Sequence, residues 1–165
     1  ASCPVVVVRE DNHVTDSTKY GPVVVGVDGS EVSQKATSYA FREAQARGAA
    51  LIAVHTWMDM QVQASLAGLS AAQSEWADIE KEQSELLTEN LKEPREEYPE
   101  VEVKKLITRD RPVSALTEAA EGAQLLVVGS HGRGGFKGML LGSTSRALLQ
   151  SAPCPMMVVR PDEEN

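Results

Sequence analysis

The residues best placed to do chemistry lie between Leu125 and Ser145. An apolar run, Leu125-Leu-Val-Val128, breaks into Gly129-Ser-His-Gly-Arg-Gly-Gly-Phe-Lys-Gly-Met-Leu-Leu-Gly-Ser143. That pattern predicts a strand, a glycine-rich loop and a helix entered at Gly142-Ser143-Thr144-Ser145. Glycines at 129, 132, 134, 135, 138 and 142 leave backbone N–H groups uncovered and admit positive φ. Converging amides at a helix N-terminus suit an anionic phosphate chain. The local charge agrees. Between Gly129 and Ser151 there is no Asp or Glu, whereas Arg133, Lys137 and Arg146 are cationic and His131 can become so.

This basic island stands in an acidic chain of formal net charge -8. Much of the excess sits between Ser70 and Glu100, where ten acids face only Lys81, Lys92 and Arg95. A nucleic-acid binder would carry a basic stripe instead, so nucleic acid is not the expected partner. No run approaches the roughly 18 apolar residues of a membrane span, and the N-terminus lacks the pattern of a signal peptide. Cys3 and Cys154 form no CxxC, and His13, His55 and His131 have no metal-ligand spacing. The expectation is a cytoplasmic protein with reduced thiols, no metal site and no membrane partner.

The elements that would hold the loop follow from length and pattern. A chain of 165 residues, 42% hydrophobic, buries one α/β core. Strands are predicted at Val23–Val27, Leu51–Val54, Val101–Ile107, Leu125–Val128 and Met156–Val159. Helices are predicted over Ser30 to Arg47, about Ser70 towards Tyr98 with Pro94 kinking or ending it, Pro112 to Glu121, and Ser143 to Ser151. Ser30 is the expected N-cap of the first and Gly48 its stop. Trp57, Trp76 and Tyr98 read as core anchors or loop covers rather than stacking platforms. Nearly all-apolar strands alternating with helices predict a three-layer α/β sandwich with a parallel sheet. Ligands then sit beyond the carboxyl ends of the strands, where strand order reverses. If the first and fourth strands are neighbours, Asp28 faces the glycine loop and can accept hydrogen bonds from a ribose. The alternative for Asp28 is an Asx turn capping the first helix.

These residues resemble the universal stress protein family. The family's nucleotide motif is Gly, two residues, Gly, nine residues, Gly, then Ser or Thr, and Gly129, Gly132, Gly142 and Ser143 fit it without insertion. Val25-Gly-Val-Asp-Gly-Ser30 and Cys154-Pro-Met-Met-Val-Val-Arg160 resemble the family's first and last strands. The resemblance covers about Gly21 to Pro161. It implies a Rossmann-like fold with five parallel strands in order 3-2-1-4-5 and about four helices, and it implies ATP binding, with Mg²⁺ held through phosphates, water and Ser143. Carried over by position, Asp28 would contact the ribose or adenosine end and Thr56 would meet adenine through its backbone. Gly129, Gly132 and Gly142 would supply amides or close approach to phosphates, and Ser143 and Thr144 donors at the helix start. Arg133 and Lys137 are candidates to neutralise phosphate charge, with a solvated surface role as the alternative; His131 stands likewise between a phosphate contact and none. No P-loop or dinucleotide motif competes, since neither GxxxxGK[ST] nor GxGxxG occurs.

The two ends repeat each other. Ala1-Ser-Cys-Pro-Val-Val-Val-Val-Arg9 echoes Ala152-Pro-Cys-Pro-Met-Met-Val-Val-Arg160. Residues 1–20 therefore read as the closing strand of a preceding, similar domain followed by a polar linker, and 21–165 as the second domain of a tandem protein. The alternative is a single-domain protein with an unusual N-terminal strand. An apolar closing strand at a sheet edge invites pairing, so Val5–Val8 is expected to pair with Met156–Val159, within the chain or from a symmetry partner. Closing strands commonly meet across a twofold axis in the resembled family, which implies a homodimer, or a pseudo-dimer with a tandem domain.

Nothing in the phosphate loop orients a water for attack, because it carries no acid. The expected function is an ATP-binding stress-response sensor or regulator without a catalytic residue, with slow or no hydrolysis or autophosphorylation and with unnamed protein partners. The alternatives are a nucleotide-independent dimerisation scaffold, and a domain for another adenine nucleotide such as AMP or cyclic AMP. An adenylyl-transferring enzyme would need an SGGxDS-like loop that Val27-Asp-Gly-Ser-Glu31 does not supply.

Overall fold

The computed structural model describes residues 3–10, 12, 19–57, 73–133 and 140–162. Their strands are β1 (Val5–Val7), β2 (Val23–Gly26), β3 (Leu51–Thr56), β4 (Val103–Thr108), β5 (Leu125–Gly129) and β6 (Met156–Val159), paired in one sheet in the order β1-β6-β5-β2-β3-β4. Strands β2 to β6 are mutually parallel; counted from Val23, they run 3-2-1-4-5. The expected five-stranded, wholly parallel sheet needs correction, because the sheet has six strands and is mixed. Strand β1 adds antiparallel to β6, with Val5 opposite Val158, Val6 opposite Met157 and Val7 opposite Met156. The physical reason is the unpaired row of backbone groups on an apolar edge, which a second apolar strand satisfies.

Among the described residues, helices α1 (Glu31–Arg47), α2 (Gln73–Glu97), α3 (Pro112–Ala119) and α4 (Ser143–Ser151) connect these strands. Helix α1 starts where Ser30 Oγ accepts the Ser33 N–H at 3.2 Å and stops where Gly48 turns left-handed at φ 59°. The expected start of α2 at Ser70 lies outside the described residues. Pro94 does not end α2, which continues to Glu97, and the Pro94 carbonyl still accepts the Tyr98 N–H at 2.9 Å. Helix α3 stops at Ala119, two residues before the expected Glu121, just ahead of the left-handed Gly122.

Alternation along the strands builds a core on each face of the sheet. Val23, Val25, Leu51 and Val127 pack with Phe41, Leu87 and Leu91 under α1 and α2. Val24, Val54, Leu126 and Met156 pack with Leu116 and Leu148 under α3 and α4. Tyr98 stacks on Phe41 with ring centroids 6.2 Å apart, and Trp57 is 2% exposed, as anchors and covers should be.

Where the chain enters β2, Gly21 runs against the turn before β5. Gln124 Nε2 donates to the Gly21 carbonyl at 2.7 Å, and a Cβ at position 21 would overlap the Gly122 carbonyl oxygen. Gly21→Ala therefore has no relaxation that spares backbone, and it should cost about 3 kcal/mol of stability in chemical denaturation. The thiols differ as sharply. Burial pushes the Cys154 thiol up to about 11, while Cys3 is exposed. At pH 8 a thiol reagent should modify Cys3 in the folded chain and reach Cys154 only on unfolding. Because the unfolded thiol ionises first, Cys154 should withdraw stability as the pH climbs from about 9 towards 11.

Candidate functional site

Strand β2 lies between β3 and β5. The chain leaves β2 for β3 on one side and later lays β5 on the other, so strand order reverses there and the two carboxyl ends open a crevice. Asp28 follows β2 and the glycine loop follows β5. Asp28 both forms the Asx turn and faces the glycine loop, with one carboxylate oxygen for each. Oδ1 accepts the Ser30 N–H at 2.8 Å in an Asx turn, and Oδ2 faces the opposite loop, 2.5 Å from where a Cβ on Gly132 would stand. The Asp28 N–H donates to Ser33 Oγ at 3.0 Å, so the first turn of α1 fixes the carboxylate from behind. Arg133 crosses in the other direction: its Nη2 lies 2.8 Å from the Cβ position of Gly29, which sits at φ 79°. Asp28, Gly29, Gly132 and Arg133 thus interlock across the crevice.

The neck of the glycine loop is tied at both ends. Ser130 N–H donates to the Val159 carbonyl at 2.7 Å, and Gly142 N–H donates to the Ser130 carbonyl at 2.6 Å. Ser145 Oγ, buried, donates to the Gly129 carbonyl at 2.7 Å. Gly129 and Gly142 are packing glycines: a Cβ would stand 2.9 Å from Val32 Cγ1 at the first and 3.1 Å from His131 Cα at the second. Gly132 is the motif glycine that meets the carboxylate. Lys137, with Gly134, Gly135 and Gly138, lies outside the described residues. His131 Nδ1 is engaged by Ser130 Oγ at 3.1 Å.

Helix α4 begins at the end of this loop. Its N-cap Gly142 offers no side-chain oxygen, its first turn contains no acid, and its first intrahelical bond is Arg146 N–H to the Gly142 carbonyl at 3.0 Å. The amides of Ser143 and Thr144 precede that bond and lack intrahelical acceptors. Ser143 is exposed and Thr144 half-buried. Such a start can take an anion. Thr56 stands one strand beyond Asp28, at the end of β3 opposite Thr108, on the far side of the crevice from the loop. Asp110 follows β4, three strands from β5; its carboxyl is held below the usual range by Ser114 and by the Arg111 N–H.

Two features escaped the sequence reading. His55 is 6% exposed, with Nδ1 2.7 Å from the Val27 carbonyl and Nε2 2.9 Å from the Gln83 side-chain amide. The carbonyl can only accept, so Nδ1 carries the proton, and a flip of the Gln83 amide presents a donor to Nε2. His55 therefore braces the residue before Asp28 from α2. The available signal was Gln83 itself, a polar residue inside the apolar stripe of α2, which must have a buried partner. The second is a cation–π cluster at the ends of β3 and β4. Arg109 lies 4.8 Å from the Trp57 ring and 5.3 Å from the Trp76 ring, whose centroids are 5.8 Å apart.

An open α/β sheet with a carboxylate and a glycine loop meeting at its switch point defines a nucleotide-type doubly wound protein. The universal stress protein family model matches residues 19–160, and the chain belongs to that family. Universal stress protein Rv2005c of Mycobacterium tuberculosis is 46% identical over 160 residues, 97% of this chain and 52% of the relative. The chain thus spans about half the length of such curated relatives. Among solved structures, UspA from Lactobacillus plantarum has a TM-score of 0.67 at 23% identity, covering 86% of this chain and 98% of that one. A universal stress protein in complex with cAMP has a TM-score of 0.58 at 27% identity, covering 85% of this chain and 96% of that one. Among the described residues, no helix is long and apolar enough to cross a membrane, and no cluster of His, Cys, Asp and Glu is suited to a metal.

The brace behind Asp28 can be measured. His55→Leu should lower unfolding stability by about 3 kcal/mol, because the Val27 carbonyl and the Gln83 amide both lose a buried partner. Gln83→Leu combined with it should recover part of that loss, a coupling that urea denaturation of the double-mutant cycle reads directly.

Proposed function

We propose that this chain binds an adenine nucleotide across the β2–β5 crevice, that the nucleotide is ATP taken with Mg²⁺, and that its occupancy regulates conformation or partners in a stress response. The observation that carries this reading is the division of labour in Asp28. One carboxylate oxygen is used by the Ser30 N–H, and the other is aimed at Gly132 across the crevice. A carboxylate so held accepts hydroxyl donors, which suits a ribose. The uncapped start of α4, with no acid in its first turn, suits phosphates. Arg133 reaches Gly29, next to Asp28, and adds positive charge there. Thr56, one strand further from the loop, fits the base end. The Ser143 hydroxyl and the phosphates themselves would hold Mg²⁺, an ion that keeps several waters and needs few protein ligands.

Hydrolysis would be slow or absent on this reading. The loop sequence holds no acid, and Asp110 stands three strands away. The universal stress protein solved with cAMP favours one alternative, a different adenine nucleotide in the same crevice. The same reading makes the chain one unit of a pair, either a homodimer or a pseudo-dimer with a tandem unit, working in the cytoplasm.

Calorimetry with ATP, ADP, AMP and cyclic AMP in the presence of Mg²⁺ separates these readings. ATP should bind tightest and each lost phosphate should weaken binding. Ser143→Ala should weaken ATP by about fivefold and leave AMP nearly unchanged, since it removes one donor at the phosphate end. Gly132→Ala should weaken all ligands by about tenfold, because its Cβ displaces the Asp28 carboxylate. Equal affinity for every nucleotide would overturn ATP as the ligand, and no binding at all would leave a scaffold.

A further inference from the structure

At the carboxyl end of β3 the sheet's hydrogen-bond ladder stops early. The Ala50 and Val54 carbonyls accept the Val23 and Val27 N–H groups from the β2 side. Thr56 is next in that row. Continued in register, its N–H would donate to the Val27 carbonyl and its C=O would accept from Gly29. His55 Nδ1 takes the Val27 carbonyl at 2.7 Å, and Gly29 has turned left-handed at φ 79°. Neither main-chain group of Thr56 therefore has a partner among the described residues, and both face the β2 side, where the crevice opens.

The Thr56 carbonyl shares one planar peptide with the Trp57 N–H, so the two point in opposite directions. Anything that fixes Trp57 also aims that carbonyl. The Trp57 N–H reaches the Thr108 carbonyl at 3.3 Å, a long bond for a sheet. The side chain supplies the rest of the hold. The Trp57 ring is buried against Trp76 in the first turn of α2, and the Arg109 guanidinium lies 4.8 Å from the first ring and 5.3 Å from the second. Arg109 directly follows Thr108, so the backbone acceptor and the cation reach Trp57 from one stretch of chain. His55 and Trp57 share one face of β3, and their partners Gln83 and Trp76 stand two turns apart on one face of α2. Thr56 thus sits between two residues tied to the same helix. A guanidinium over two ring faces fixes orientation as well as contact.

We propose that Arg109 is a positioning residue for the base end of the crevice: by holding Trp57 against Trp76 it keeps the Thr56–Trp57 peptide turned so that the Thr56 carbonyl meets the amino group of an adenine. This rests on reading the crevice as an adenine-nucleotide site. A carbonyl so fixed accepts from the adenine amino group and repels the guanine oxygen that stands in its place. Arg109 touches no ligand in this arrangement. It acts through Trp57, and its effect falls on the choice of base rather than on the phosphates.

The test is calorimetry on the full chain with ATP, GTP and inorganic tripolyphosphate, each with Mg²⁺, for the parent, Arg109→Met and Arg109→Lys. The parent should prefer ATP to GTP. Arg109→Met keeps most of the stem and removes the cation, and it should weaken ATP about fivefold while GTP and tripolyphosphate stay within about twofold. Arg109→Lys, which returns a cation to the rings, should recover part of the lost preference for ATP. Trp57 and Trp76 are the chain's two tryptophans, so near-ultraviolet circular dichroism should show the ring pair loosened in the Met variant and restored in the Lys variant. Thermal melting checks that each variant folds, and Arg109→Lys alone, falling below the parent in ATP preference, carries the test if the Met variant does not. An unchanged ratio of ATP to GTP affinity in a folded Arg109→Met overturns the positioning role, as does an equal loss for all three ligands, which a general loosening would give. A parent that binds tripolyphosphate but takes ATP and GTP alike overturns the carbonyl's part. A parent that binds none of the three overturns the nucleotide reading itself, before any variant is compared.

Discussion

Because Val23, Val24 and Val25 lie in parallel register beside Leu125, Leu126 and Val127, the loops leaving β2 and β5 emerge at one end of the sheet, one strand spacing apart. These runs are far apart in the chain, and both have little to offer water, so the sheet interior is the place where their backbones and side chains are satisfied together. Once they are neighbours, a carboxylate two residues past one strand and a glycine loop past the other have to share a crevice. The later elements refine that arrangement. Helix α1 holds Asp28 from behind through Ser33, and His55 holds the preceding carbonyl from the α2 side. The hydrogen bond from Ser130 to Val159 moors the glycine loop to β6.

The spaced glycines divide by what they permit. Gly129 lets the first turn of α1 approach β5, Gly142 lets the loop close on itself beside His131, and Gly132 leaves room for the Asp28 carboxylate. A spaced motif of this kind thus records mostly backbone packing around the crevice, with a single position touching the group that would read a ligand. For that reason the spacing is demanding: moving any one glycine shifts the neck relative to the uncapped start of α4. Electrostatics follow the same geometry. Arg133 reaches across the crevice to Gly29 and Arg146 lies near the start of α4, while the acids of α2 lie along an exposed helix over β4 and α1.

Most of the fold was legible because it depends on local pattern. The apolar runs, Ser30 and Gly48 at the ends of α1, and the loop-to-helix transition at Gly142 all carry their signals within a few residues. The strand order of the parallel five came through family resemblance rather than periodicity. The sixth strand was readable as a repeat, yet its place inside one mixed sheet depends on contact between the chain's two ends, which no local pattern encodes. Pro94 does not end α2, which runs on to Glu97. Near the end of a helix a proline removes a single donor, and burial of the α2 face outweighs that loss. At the crevice, Asp28, Gly132, Arg133 and Ser143 stood out by residue type and spacing, and the structure brings Asp28, Gly132 and Arg133 together. The Asp28 carboxylate's double duty and the His55–Gln83 brace were not, because each depends on residues distant in sequence meeting through buried polar atoms.

The two edges of the sheet show how differently evolution can treat exposed strand backbone. Strand β4 carries Lys104 and Lys105, both exposed, one on each face. Charges so placed oppose pairing with another strand, since docking would strip them of water. Strand β6 carries no charge along Met156–Val159 and is buried throughout, with β1 completing its hydrogen bonds. An edge left uncharged is one whose partner is supplied. β1 fills that edge antiparallel, the one strand of the six that runs against the others.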